Sequence, residues 1–268
     1  VAEAGPSPAA EGKGTDEPGL TLDRLLEGRL MLVQPARGHR AGTDALLVAA
    51  AAGSARHVVD LGSGVGAIGL ALLALGRAER ATLVEREPDL AALARRNVAL
   101  NAMDRRCAVV EADVTARASL LAAAGLEPGL ANLVVCNPPY NEPGRHRSSP
   151  DARRLAAHAM APESFEAWAR AAARSLRGDG RLVLIHRPEA LAWLLPLLAR
   201  RFGALEIIPV HGRADQAAMR VLIRGRLNSR APARVLPALV LHGLDGSVTG
   251  PGHAISTGEL RLEEQRGP

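Results

Sequence analysis

From Val58 onward the sequence repeats one local pattern: a short apolar run, a polar or glycine-rich break, then a longer stretch with helical spacing. Val58-Val59-Asp60-Leu61 ends at glycines and leads into a helix expected over Ala67 to Leu75. Thr82-Leu83-Val84-Glu85 is the next strand, and a helix is expected over Pro88 to Leu100, with the proline in its first turn, where no amide hydrogen is missed. Ala108 to Asp113, Leu133 to Cys136 and Arg181 to His186 read as further strands, the last flanked by helices around 165–176 and 190–201. Apolar strands joined through helices need cover on both faces, which each crossover helix supplies. The order therefore predicts an α/β fold: a mostly parallel, doubly wound sheet with helices on both faces. Leu205–Val210 and Met219–Arg224, separated by the polar turn at 211–215, predict an antiparallel terminal hairpin.

The ends of the chain carry less information. Residues 1–19 are Ala/Gly/Pro/Glu-rich with almost nothing to bury, so a disordered tail is expected, with the folded domain over 20–226. Residues 227–268 read as an extension with a possible hairpin at Gly243-Leu244-Asp245-Gly246 and a loose, charged end. The N-terminal stretch lacks the apolar core of a signal peptide, and the apolar run from Ala45 to Ala52 falls well short of the ~20 residues that span a bilayer. Cys107 and Cys136 both fall in apparent buried strands, which excludes a disulfide framework and suggests a cytoplasmic protein. His146 and His158 have no metal-like spacing with cysteine or acid partners, so no metal is expected. A monomer is the default, with no apolar stripe left to pair. The net charge of +5 invites a nucleic-acid reading. However, Lys13 is the one lysine among 33 basic residues, a bias that a GC-rich genome would impose on any protein. The placing of the arginines matters more than their number.

Asp60-Leu61-Gly62-Ser63-Gly64-Val65-Gly66 lies between the first strand and its helix, where open α/β sheets place their ligand crevice. Gly62, Gly64 and Gly66 let backbone approach a ligand closely. Gly64-Val65-Gly66-Ala67-Ile68-Gly69 also fits the dinucleotide pattern, and Glu85 stands where a ribose-binding acid belongs in either case. Electrostatics separates the two. A pyrophosphate would be repelled by Asp60, whereas the cationic amine and sulfonium of S-adenosylmethionine would be attracted; an ordinary strand-end cap is the plainer role for Asp60. Glu85 offers two acceptors to two ribose hydroxyls. Asp113, at the end of the third strand, would accept from the adenine amine of the cofactor. Three acids at the carboxyl ends of three successive strands beside a glycine turn resemble the Rossmann-like class I methyltransferases, which implies a seven-stranded sheet.

The fourth strand runs into Asn137-Pro138-Pro139-Tyr140. An exocyclic amine on a planar ring is a poor nucleophile because its lone pair is delocalised. Two acceptors aimed at its hydrogens, the Asn137 side-chain carbonyl and the Pro138 main-chain carbonyl, would draw the nitrogen towards a tetrahedral shape. The prolines, Pro139 included, fix φ and hold the acceptors in place. Tyr140, the one tyrosine among five aromatics, offers a face on which a base can stack. The bland alternative is a strand-to-loop turn, since these residue types favour turns. Arg145, Arg147, Arg153 and Arg154 follow in a polar loop, where phosphates flanking a splayed-out base would pass; a solvated basic loop is the alternative.

Gln34-Pro35, Gly38-His39-Arg40 and Thr43-Asp44 ahead of the glycine turn, then Asn137-Pro138-Pro139-Tyr140 and the late strand from Ala217 to Leu222, resemble the bacterial tRNA1(Val) adenine-N6 methyltransferases. The resemblance spans about residues 22–226. It implies S-adenosylmethionine as cofactor, tRNA as partner and methylation of the adenine beside the anticodon. It also implies that the segment from Arg40 to Asp44 packs over cofactor or substrate, with Arg40 on the cofactor. One departure is His39, where the family usually has tyrosine. The same four-residue motif serves release-factor glutamine-N5 methyltransferases, but those carry a helical substrate-binding domain before the catalytic one, and this sequence has no such stretch before Gln34. Guanine-N2 rRNA enzymes commonly have phenylalanine in place of Tyr140. A non-catalytic RNA-binding or cofactor-sensing module is the remaining alternative, against which Asp60, Glu85, Asp113 and Asn137 all stand intact.

Overall fold

The computed structural model describes residues 13–14, 17–37, 40–138 and 162–262. A three-stranded antiparallel sheet comes first: β1 (Lys13–Gly14), β2 (Leu20–Leu25) and β3 (Leu30–Pro35), in the order β1-β2-β3. The turn between β2 and β3 places Leu26 and Glu27 at φ of 54° and 57°, ahead of Gly28 at 86°. Leucine and glutamate rarely adopt that region, so the sequence carries no ordinary hairpin signal there.

The main sheet alternates with helices as the apolar pattern requires. Its elements are α1 (Thr43–Ala51), β4 (Ala55–Leu61), α2 (Ala67–Ala74), β5 (Ala78–Glu85), α3 (Pro88–Leu100), β6 (Cys107–Glu111), α4 (Ala118–Ala123), β7 (Ala131–Cys136), α5 (Pro162–Ser175), β8 (Leu176–His186), α6 (Leu191–Leu198), β9 (Phe202–Arg213) and β10 (Arg220–Leu227). The strands run in the order β9-β10-β8-β7-β4-β5-β6. All neighbours from β8 to β6 are parallel, and β10 is antiparallel to both β8 and β9. The mostly parallel α/β sheet with a terminal antiparallel hairpin is thus present, and so are helices on both faces.

Each face has its own apolar cluster. One gathers α1, α2 and the inner side of α3 over Val58, Leu83, Leu133 and Val183; the other gathers Phe165, Ala169, Leu194 and Leu198 over Val59, Val134 and Leu184. α1 and α2 are buried nearly all round, which explains their uninterrupted alanine and leucine. α3 buries only Ala91, Ala94, Asn97 and Val98, one stripe at helical spacing, and turns its charges outward. Cys107 and Cys136 are buried and unpaired, and burial pushes the Cys107 thiol up to about 12.

The last residues extend this sheet. β11 (Arg234–Val235) and β12 (Leu239–His242) both add in parallel to β9, so the exposed edge is covered. The chain then turns at Gly243–Gly246, with an antiparallel bridge between His242 and Val248, into α7 (Gly250–Ser256). Buried Arg77 ties the following segment down, donating to the carbonyls of Ala49, Gly258 and Leu260 at 2.8–2.9 Å.

Candidate cofactor and substrate site

The glycine turn leaves the carboxyl end of β4 and is stitched to β5 by Ser63 N–H donating to the Val84 carbonyl at 3.0 Å. Gly62, Gly64 and Gly66 have φ of 64°, 55° and 91°. A Cβ on Gly66 would come 2.7 Å from Leu83, so glycine is required there for space as well as for conformation. With no side chain at that N-cap, the first turn of α2 is capped from the strand: Asp60 Oδ2 accepts from Gly69 N–H at 2.9 Å. Asp60 is fully buried, and its Oδ1 has no hydrogen-bond partner among the described residues. Burial raises its pKa to about 7; the Gly69 amide opposes this and the Glu85 charge adds to it. In this structure Asp60 therefore serves as a helix cap.

Glu85 ends β5 beside this turn and is buried. Its Oε2 accepts from Gly64 N–H at 2.8 Å, and its Oε1 from the amides of Arg86 and Glu87 at 2.9 and 3.0 Å. Three backbone donors hold both oxygens at the rim of the crevice. Asp113 lies two residues beyond β6 instead of within it, half-buried, with Oδ1 accepting from the amide and hydroxyl of Thr115.

Asn137 and Pro138 follow β7 directly; Asn137 is half-buried and Pro138 buried. Leu61 of β4 pairs with Cys136 of β7, so Asn137 is level with Gly62 across the ladder. Pro139, Tyr140, Arg145, Arg147, Arg153 and Arg154 lie outside the described residues, as does His39.

Two aromatic neighbours went unassigned in the sequence. The half-buried Trp168 of α5 packs on Gly62, where any side chain would overlap its ring. Its signal was available, a tryptophan in an aromatic-poor chain on the helix after the substrate loop. His186 ends β8, two residues beyond Leu184, which pairs with Cys136, so it is level with Pro138. Its Nδ1 accepts from Arg187 N–H, its ring meets Trp193 edge-on at 5.5 Å, and burial lowers its pKa to about 4, leaving it neutral.

The N-terminal hairpin is tied down by Asn97 of α3, which also reaches the glycine turn, and by Asn101, the residue that ends that helix. Asn97 Oδ1 accepts from Val33 N–H at 2.7 Å, and its Nδ2 donates to the carbonyls of Val33 and Val65 at 2.9 and 3.0 Å. Asn101 does the same for Met31, so the two amides serve as a surrogate strand along β3. Arg40 is committed to the hairpin: its guanidinium meets Asp23, Thr21 and the Pro35 carbonyl. Gln34 also donates to Asp23 and accepts from Ala41 N–H. The N-cap of α1 is Gly42, without a side-chain bond, and Asp44 in the first turn pairs with Arg220 at 3.0 Å.

The molecule thus combines a strand-ending glycine turn, a buried acid on the next strand and an Asn-Pro corner on the neighbouring one. The profile of the methyltransferase small domain family matches residues 36–213.

The chain belongs to that family.

A solved structure described as a predicted O-methyltransferase from Agrobacterium tumefaciens is 32% identical to this methyltransferase, with a TM-score of 0.70, over 83% of this chain and 99% of that one. TYW2 from Pyrococcus horikoshii, solved with MeSAdo, is 13% identical with a TM-score of 0.53, over 80% and 74% of the two chains. The 16S rRNA N2-guanine methyltransferase RsmC of Thermus thermophilus, solved with AdoMet and guanosine, is 18% identical with a TM-score of 0.53, over 78% and 50%. The last two share the fold. No curated protein matches the sequence.

The protein is a class I S-adenosylmethionine-dependent methyltransferase. The residues present fit that cofactor: Glu85 places a buried carboxyl at the crevice rim, of a chemistry that suits ribose hydroxyls, and a Cβ on Gly64 would meet nothing within 4 Å, so the turn is open there. Among the described residues no group of three or more His, Cys, Asp or Glu could hold a metal, and no helix is long and apolar enough to cross a membrane.

Proposed function

We propose that this methyltransferase transfers a methyl group to the exocyclic N6 amine of an adenine in tRNA, beside the anticodon. The observation that carries the reading is the ladder register that sets Asn137 level with Gly62, which brings the amine-recognising corner alongside the cofactor turn. When bound, S-adenosylmethionine supplies a methyl group on a sulfonium centre open to in-line displacement. Asn137 and Pro138 supply two carbonyl acceptors for the two hydrogens of the amine, a role that rests on positioning and preorganised electrostatics. Pro138 is buried, and the proline that follows it in the sequence confines its ψ to the extended region, which restricts where its carbonyl can point. Tyr140 is assigned the stacking face, and Arg145, Arg147, Arg153 and Arg154 the flanking phosphates.

The description of the A. tumefaciens relative favours a second reading, a hydroxyl acceptor. A hydroxyl presents one hydrogen and calls for a base, whereas Asn137 and Pro138 present two neutral acceptors. The amine fits this corner better.

Labelled methyl transfer to bulk tRNA, rRNA and release factor, followed by nucleoside mass spectrometry, tests the proposal. N6-methyladenosine in tRNA is the expected product. Label confined to a ribose hydroxyl, to guanine or to release-factor glutamine would replace it. In the same assay Asn137→Ala is expected to lose at least about 100-fold in kcat, the scale of a removed preorganised hydrogen-bonding group, with cofactor affinity unchanged. Retained turnover would remove Asn137 from the chemistry.

A further inference from the structure

Trp168 is one of five aromatic residues in the chain, and the fold sets it at the glycine turn. α5 ends at Ser175, and the next residue, Leu176, opens β8 and pairs with Ala131 at the beginning of β7. The C-terminal end of α5 therefore lies at the rim where the parallel strands begin, and its N-terminal turns lie at the rim where they end. Each Cα–Cβ bond of an α-helix tilts towards the helix N-terminus, so the indole leans towards the crevice.

The helix that carries it is held in place. Phe165, one turn earlier, and Ala169 are buried against the sheet, and Phe165 meets Trp193 of α6 edge-on at 5.6 Å. Glu166 pairs with Arg201 at 2.6 Å. Trp168 itself is only half-buried. Its Cη2, Cζ3 and Cζ2 face Gly62, the last two 3.2 and 3.3 Å from where a Cβ would stand. All three atoms belong to the six-membered ring, so the indole meets the turn with its apolar end. Leu61 pairs with Cys136, which sets Gly62 level with Asn137. The ring thus borders the stretch of crevice between the cofactor turn and the Asn-Pro corner.

We propose that Trp168 is a cofactor-binding residue that favours S-adenosylmethionine over its demethylated product. Methyl transfer converts the sulfonium cation of the cofactor into a neutral thioether. The quadrupole of an aromatic ring attracts the cation and has no comparable attraction for the neutral form. Setting the sulfonium beside this ring rests on the reading of Asn137 and Pro138 as the acceptor corner, since the methyl group passes from one to the other.

The test uses the full chain and binding assays without an acceptor. In the Trp193→Phe variant Trp168 is the one tryptophan left. Its emission is expected to change saturably as S-adenosylmethionine is added, with a midpoint that matches calorimetry. Trp168→Leu keeps an apolar side chain without a ring. It is expected to bind S-adenosylmethionine about 2- to 30-fold more weakly while S-adenosylhomocysteine is affected less. Trp168→Phe, which keeps a ring, should preserve most of the preference. Equal losses for the two ligands in Trp168→Leu would mean that the ring only props the turn, and would overturn the proposal, as would unchanged affinity for both. Trp168 emission that ignores saturating S-adenosylmethionine overturns it too, whether or not Trp168→Leu folds. Failure of the acceptor reading registers separately, as retained turnover in Asn137→Ala.

Discussion

Replacing Asn97 by alanine should destabilise the protein far more than its single amide suggests. Asn97 is fully buried and makes three backbone hydrogen bonds at 2.7, 2.9 and 3.0 Å. Removing the amide strands the Val33 N–H and the carbonyls of Val33 and Val65 where water has little access. A buried polar group left without a partner costs ~1–3 kcal/mol. With some relaxation, the loss comes to about 3–6 kcal/mol, against a whole-domain stability of ~5–15 kcal/mol. Asn97→Asp keeps the acceptor for Val33 N–H but loses both donors and turns charge towards two carbonyl oxygens, so it should be no better. Asn101→Ala is the internal control: its bonds to Met31 are only partly buried, water can replace them, and about 1 kcal/mol is expected. Urea unfolding followed by the fluorescence of Trp168 and Trp193 measures all three. Because Val65 belongs to the glycine turn, Asn97→Ala should also weaken S-adenosylmethionine binding, read by calorimetry well below the unfolding midpoint, while Asn101→Ala should not. An Asn97→Ala protein within about 1 kcal/mol of wild type, or cofactor affinity equal in both alanine variants, would refute the reasoning.

Asp60 gives the stability a pH dependence of defined sign. Its folded pKa, about 7, lies above the ordinary 3.8, so its contribution is full below pH ~4 and is lost as pH rises through 7. The gap corresponds to roughly 4 kcal/mol, and Asp60→Asn, which still accepts from Gly69, should flatten urea-derived stability between about pH 4 and 7; parallel profiles would count against it. Glu85→Gln trades an acceptor for a donor facing backbone amides, and at least about a tenfold loss of cofactor affinity is expected by calorimetry. Arg77→Met frees the carbonyls of Gly258 and Leu260 and should expose the residues after α7 to limited proteolysis under conditions where wild type resists; equal cleavage would mean the strap holds nothing.

The main sheet is readable from sequence because its signals are local. Each strand is a short apolar run, each helix has its own spacing, and Pro88–Leu100 forms the helix its sequence announces. Glu85 and Asn137 are legible for the same reason: strand ends in a parallel sheet point their next residues at one crevice. Other features depend on pairings between distant residues. The N-terminal hairpin leaves no sequence signal because its turn uses positive φ at Leu26 and Glu27, which no turn propensity encodes. Asn97 meets Val33 across 64 positions and Arg77 meets Gly258 across 181, and neither leaves a mark in the nearby sequence. Asp60 shows the division within one residue. Its place before the glycines marks a ligand crevice, but whether its carboxyl faces a cofactor or a helix amide depends on how β4 packs against α2. Local propensity and periodicity are short-range and survive in any chain of this pattern. The choice of hydrogen-bond partner and the dielectric around a side chain exist only once the layers have closed.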